Sequence, residues 1–164
     1  MREKRAKKVS YSAGDLFLVP SCQGGFYIGQ IVVDARLEIG ANFCFLTRKK
    51  VEEEHDCKNV VIESGDVISA MLITPELIDY GSWKLCGNRD IPKHEAENIL
   101  AGLRKKSYVG AAVIGAGLVA KYLDTYFGLI SDSYWPDPAY VYENFLVPRS
   151  KLSMAHDTSQ SKMP

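Results

Sequence analysis

Two short apolar runs, Leu16-Phe17-Leu18-Val19 and Phe26-Tyr27-Ile28-Gly29-Gln30-Ile31-Val32-Val33, stand on either side of Pro20 and the loop-forming Cys22-Gln23-Gly24-Gly25. Both runs are rich in β-branched and aromatic residues, and the Gly-rich gap is short enough to join them as a hairpin. The chain therefore opens as antiparallel sheet. Residues 42–47 form a third apolar, aromatic run. The charged stretch 48–56 that follows carries little apolar surface and reads as an exposed loop.

Residues 67–73 and 82–86 are further strand candidates, separated by Pro75-Glu76-Leu77-Ile78-Asp79, which suits one helical turn. The character changes after residue 93. Ala96, Ile99, Leu100 and Leu103 recur at helical spacing over residues 93–106, with Glu95 and Glu97 near the start and Arg104 and Lys105 near the end, as the helix dipole favours. Residues 108–114 read as a strand. From Ala116 the positions Leu118, Val119, Tyr122, Leu123, Tyr126 and Phe127 make a second helical stripe, closed by Gly128. A short helix over residues 139–146 completes the pattern. The expected fold is α+β: a strongly bent, mostly antiparallel sheet of about five or six strands, with helices concentrated in the C-terminal half. Its parts are a flexible basic N-terminus (1–11), one domain (12–149) and a disordered polar tail (150–164).

Composition narrows the function classes. The 164 residues are 46% hydrophobic and 24% charged, the balance of an ordinary globular domain. Twenty basic and twenty acidic side chains cancel, so no global field draws the chain to nucleic acid or anionic membranes. Arg2, Lys4, Arg5, Lys7 and Lys8 precede no apolar run of signal-peptide length and read as a solvated terminus, which points to the cytoplasm. The apolar stretch 108–120 is too short to span a bilayer and holds Gly110, Gly115 and Gly117. Cys22, Cys44, Cys57 and Cys86 are expected to be free thiols, and neither they nor His55, His94 and His156 show the paired spacing of a metal site.

One motif invites a catalytic reading. Gly115-Ala116-Gly117-Leu118-Val119-Ala120 matches the G-x-G-x-x-A dinucleotide fingerprint and lies where a strand passes into a helix. That chemistry also needs a second parallel strand ending in an acid and further βαβ units, and the sequence beyond Phe127 offers neither. A tight strand-to-helix connection accounts for the glycines more simply, and no cofactor is expected. No nucleophile elbow or P-loop occurs.

Two segments resemble a known family. Gly14-Asp15-Leu16-Phe17-Leu18-Val19-Pro20, with the aromatic-Gly strand Phe26-Tyr27-Ile28-Gly29-Gln30-Ile31-Val32, is similar to the opening of the immunity protein 26 family of bacterial polymorphic toxin systems. The helix ending in Tyr126-Phe127-Gly128-Leu129, and Trp135-Pro136-Asp137-Pro138-Ala139-Tyr140 after it, resemble a C-terminal pattern of related proteins, with Trp83 in a strand between the two segments. The sequence departs from that pattern at Ser131-Asp132-Ser133. The resemblance implies a mostly β, non-enzymatic domain that binds one cognate toxin in the producer's cytoplasm.

An inhibitor of that kind needs aromatic anchors and a charged rim. Asp132, Tyr134, Trp135, Asp137 and Tyr140 supply both, and are the expected partner-binding residues; the competing reading is that Trp135 and Tyr140 merely cover the sheet. Two other classes remain: a nucleotide-binding enzyme domain built on Gly115 and Gly117, and a small nucleic-acid-binding β module using the basic start.

Overall fold

The computed structural model describes residues 7–149. Six strands form one sheet: β1 (Asp15–Pro20), β2 (Phe26–Ala35), β3 (Ala41–Val51), β4 (Val67–Ile73), β5 (Leu85–Asn88) and β6 (Val113–Ile114), in the order β5-β1-β2-β3-β4-β6. Every pairing is antiparallel except β4 with β6. The register slips between Tyr27 and Gly29 and between Ile31 and Val33 on β2, and between Leu46 and Thr47 on β3. Such bulges sharpen the local twist and bend the strands that carry them.

The α+β expectation holds, and the central strands explain why their sequences are so continuously apolar: the sheet is covered on both faces. Phe17 and Val19 belong to a core cluster with Tyr27, Ile31, Cys44, Leu46, Trp83 and the residues Val119, Leu123 and Tyr126 of α4 (Ala116–Tyr126). Alternate residues point the other way. Leu16, Leu18 and Ile28 pack with Cys57 and Ile62, while Phe43 and Phe45 pack with Ala96 and with Leu100 of α3 (Glu97–Lys105). Both predicted long helices form. At the end of α4 the Gly128 and Leu129 amides donate back to Thr125 and Asp124, and the left-handed φ of Gly128 (81°) makes that reversal cheap.

Several boundaries differ from the sequence expectation. The charged stretch is not all loop: β3 runs to Val51, because Val51 and Lys50 pair with Phe26 and Tyr27 through backbone groups that are indifferent to side-chain polarity. Lys50 then sets its ammonium 4.8 Å from the Tyr27 ring centre. Glu54–Asn59 is a short 3-10 helix. Trp83 is buried but lies outside any strand, since β5 begins only at Leu85. Residues 108–112 are not extended either. Ser107 and Tyr108 have positive φ (51° and 61°), and the Tyr108 amide donates to Leu103 to close α3, leaving two residues for β6.

A one-turn helix, α1 (Arg36–Ile39), joins β2 to β3, the one-turn helix after Pro75 is α2 (Glu76–Asp79), and the last helix, α5, is shorter than expected, Ala139–Tyr142. The domain's packing also begins before Ser12: Val9 donates its amide to the Asp79 carbonyl, and Tyr11 is buried with its hydroxyl donating to the Asp79 carboxylate. The rest of the expected basic terminus (1–6) and the expected tail (150–164) lie outside the described residues. Among the described residues no helix is long and apolar enough to cross a membrane.

Candidate partner-binding surface

After Gly128 the chain folds back across α4. Trp135 is half-buried and donates its indole N–H to the Thr125 hydroxyl at 2.8 Å, with its ring 5.3 Å from that of Tyr122. It therefore leans on the helix and not on the sheet. Tyr134 stands edge-on to Trp135 at 5.2 Å, and Lys121 donates to the Tyr134 hydroxyl at 3.1 Å. A short 3-10 turn, Asp132–Tyr134, is started by Ser131, whose side chain accepts the Ser133 amide.

Asp132 and Asp137 have local tasks as well as exposure. The Asp132 carboxylate accepts the Tyr142 hydroxyl at 2.6 Å, which ties the turn to the helix of Ala139–Tyr142. Asp137 accepts the Ala139 amide at 3.1 Å in a local turn that leads into that helix. The Tyr142 phenol is pushed above its ordinary value by partial burial and by its bond to Asp132. Buried Val141 anchors the helix, while Tyr140 on it exposes 63% of its surface and Tyr134 exposes 55%. Downstream, Phe145 stacks on Tyr126 at 4.1 Å and Leu146 donates its amide to Ile68, so the segment returns to the part of β4 that β6 does not cover.

The five expected residues are thus on one chain segment packed over α4, with Asp132, Tyr134 and Trp135 joined by direct contacts and Asp137 and Tyr140 linked to them through the Tyr142–Asp132 bond. Of the two residues in the competing reading, Trp135 does serve as a packing residue, against α4 in place of the sheet, and Tyr140 stays 63% exposed. Lys121, Tyr142 and Arg149 belong to the same surface, Arg149 donating to the Tyr142 hydroxyl at 3.1 Å. Sequence reasoning missed them because Lys121 sits between two core positions of an amphipathic helix and looks like an ordinary solvated lysine.

The glycine pair is arranged differently from a phosphate cradle. Gly115 is extended (φ −62°), a β-carbon at either Gly115 or Gly117 would meet nothing within 4 Å, and the Ala116 amide at the helix start is taken by the Thr74 hydroxyl at 2.8 Å. Of the histidines, His156 lies outside the described residues, His55 lies 3.3 Å from Asp56, and His94 accepts the Ala96 amide at 3.0 Å. Among the described residues no group of three or more His, Cys, Asp or Glu side chains is set to hold a metal ion. Comparison with protein-family models, with curated proteins and with solved structures finds no match.

Proposed function

We propose that this protein is an immunity protein that binds a cognate bacterial toxin in the cytoplasm and neutralises it by covering the toxin's surface, with no cofactor and no chemistry of its own. The observation that carries the reading is the pair Tyr134 and Tyr140, which expose 55% and 63% of their surface on a backbone fixed by the Ser131 cap, the Asp137–Ala139 turn bond, the Trp135–Thr125 bond and the buried Val141. A tyrosine has few rotatable bonds and both an apolar body and a polar tip, so a pre-positioned one contributes contact area at little entropic cost. Asp132 and Asp137 supply a polar rim.

The residues that resemble the immunity protein 26 opening have a scaffold role: Phe17 and Gly29 are register partners across β1 and β2. The reading is tested by co-expressing the chain with the toxic domain encoded by the neighbouring gene. Growth rescued by the intact chain and abolished by Tyr134→Ala together with Tyr140→Ala is the expected result. A non-toxic neighbour, or no rescue by the intact chain, would overturn it, and rescue unaffected by the double substitution would remove Tyr134 and Tyr140 as its anchors.

A further inference from the structure

On the far side of the sheet from α4, an open groove of about 760 Å³ runs between the 3-10 helix Glu54–Asn59 and the edge strand β5, with the apolar residues Leu18 and Phe26 in its lining. Two cysteines line it. Cys57, on the 3-10 helix, is buried, and its Sγ lies 3.6 Å from the carbonyl oxygen of Cys86 on β5. Cys86 is half-buried and packs in the same apolar cluster as Cys57, so the two side chains stand together at the groove. The other two cysteines are placed apart from this pair: Cys44 is enclosed in the core beneath α4, and Cys22 is exposed at the β1–β2 hairpin with its amide on Asp124.

We propose that Cys57 and Cys86 are a dithiol site that a peroxide converts into a disulfide, stapling the 3-10 helix to the edge of the sheet. Cys86, which the groove exposes, is the sulfur that meets the oxidant. As a thiolate it attacks the peroxide oxygen, the O–O bond breaks, the departing hydroxide takes up the thiol proton as water, and a sulfenic acid remains. Cys57 then attacks the Cys86 sulfur, its own proton leaves with the hydroxyl as a second water, and the S–S bond forms. Two thiols thus lose two protons and two electrons, and one peroxide becomes two waters. Burial and the neighbouring Cys57 hold the Cys86 thiol well above its ordinary value, so thiolate is scarce at neutral pH and the reaction accelerates as pH rises.

The staple would reinforce contacts that already bridge the two elements. Lys84 pairs with Glu54 at 3.1 Å, and Arg89 donates to the carbonyls of Lys58 and Val60 at 2.7 and 3.0 Å. Joining residues 57 and 86 closes a loop long enough to restrict the unfolded chain appreciably.

The test treats the full chain with hydrogen peroxide at mildly alkaline pH, alkylates remaining thiols and maps the non-reduced digest by mass spectrometry. The expected product is a peptide pair joined through Cys57 and Cys86. Titratable thiols fall from the four in the sequence by the two of that pair and are restored by dithiothreitol. The oxidised form should melt about 10 °C higher. Cys86→Ser and, separately, Cys57→Ser should each abolish both the cross-link and the rise in Tm. An unchanged thiol count, over-oxidation of single cysteines, or cross-linking confined to Cys22 between two chains would overturn the proposal, whatever the outcome of the toxin experiment.

Discussion

The ring of Phe17 fills the space that a β-carbon on Gly29 would need: the two are paired across β1 and β2, and an added Cβ would sit 2.3 Å from the Phe17 Cζ. Phe17 in turn stacks parallel to Trp83 at 5.6 Å. The glycine is therefore a packing requirement and not a turn, which explains why an aromatic-Gly strand accompanies a Phe-bearing one. Gly29→Ala should force the stack apart and destabilise the fold by about 1–3 kcal/mol, the usual cost of overpacking. Thermal melts report it, as does tryptophan emission, to which Trp83 and Trp135 both contribute; an unchanged Tm would refute the packing argument.

Tyr27 and Asp124 form a second long-range tie. The Tyr27 hydroxyl donates at 2.7 Å to a carboxylate that is almost wholly buried and that also accepts the Cys22 amide, fastening β2 and the hairpin loop to α4. Tyr27→Phe removes one donor from a buried acceptor and should cost about 1–3 kcal/mol. In a double-mutant cycle with Asp124→Ala the two losses should be clearly less than additive, as befits groups in direct contact. Additive losses would show that the bond contributes nothing.

Arg36 gathers a polar cluster at the opposite edge of the α4 face. It reaches Asp34 at 2.8 Å and Asp79 at 3.1 Å, and lies 3.9 Å from the Tyr11 ring centre. Asp79→Ala would leave the buried Tyr11 phenol without its acceptor while Arg36 keeps Asp34, and should cost about 1–3 kcal/mol. Asp34 is held below the usual carboxylate range, chiefly by its bond from Arg36. Because the folded state depresses this group, its contribution to stability is complete above the ordinary Asp value of about 3.9 and declines as pH falls further. Asp34→Asn should accordingly flatten the acid limb of a Tm-against-pH curve while leaving its alkaline limb unmoved.

Alkali acts through tyrosines. Burial raises Tyr11 and Tyr27 far above their ordinary value and Tyr126 to about 12. These phenols stay protonated in the fold but ionise near pH 10 once unfolded, so the stability they support is intact below about 10 and is lost as pH rises beyond it. Ultraviolet titration should show a tyrosinate fraction that emerges only together with loss of circular dichroism. Smooth ionisation of every tyrosine ahead of unfolding would contradict the burial.

Tyr134 and Tyr140 should behave oppositely. Both are exposed, so replacing them with alanine should change stability by no more than about 0.5 kcal/mol each. If they are the anchors of a toxin interface, the same substitutions should weaken binding at least tenfold, measured by calorimetry with the purified toxic domain. Undiminished affinity would move the interface elsewhere.

Much of this was legible in the residues because the signals are local. The β1–β2 hairpin follows from two β-rich runs around Gly24 and Gly25, α3 and α4 from apolar spacing, and the end of α4 from Gly128. The five surface residues could be marked as a dense aromatic and acidic group, since density is a property of the string. What needed the third dimension was every feature set by a partner distant in sequence. Arg48 to Val51 are strand only because β2 is beside them, and Tyr108 ends a helix although its neighbours read as strand. Trp135 rests on Thr125, Asp132 meets Tyr142, Phe17 lies over Gly29, and Cys57 comes against Cys86. Apolar periodicity states which face of an element must be buried, but not what buries it. That choice is made by the packing of whole elements, where backbone pairing and side-chain volume outweigh local preference.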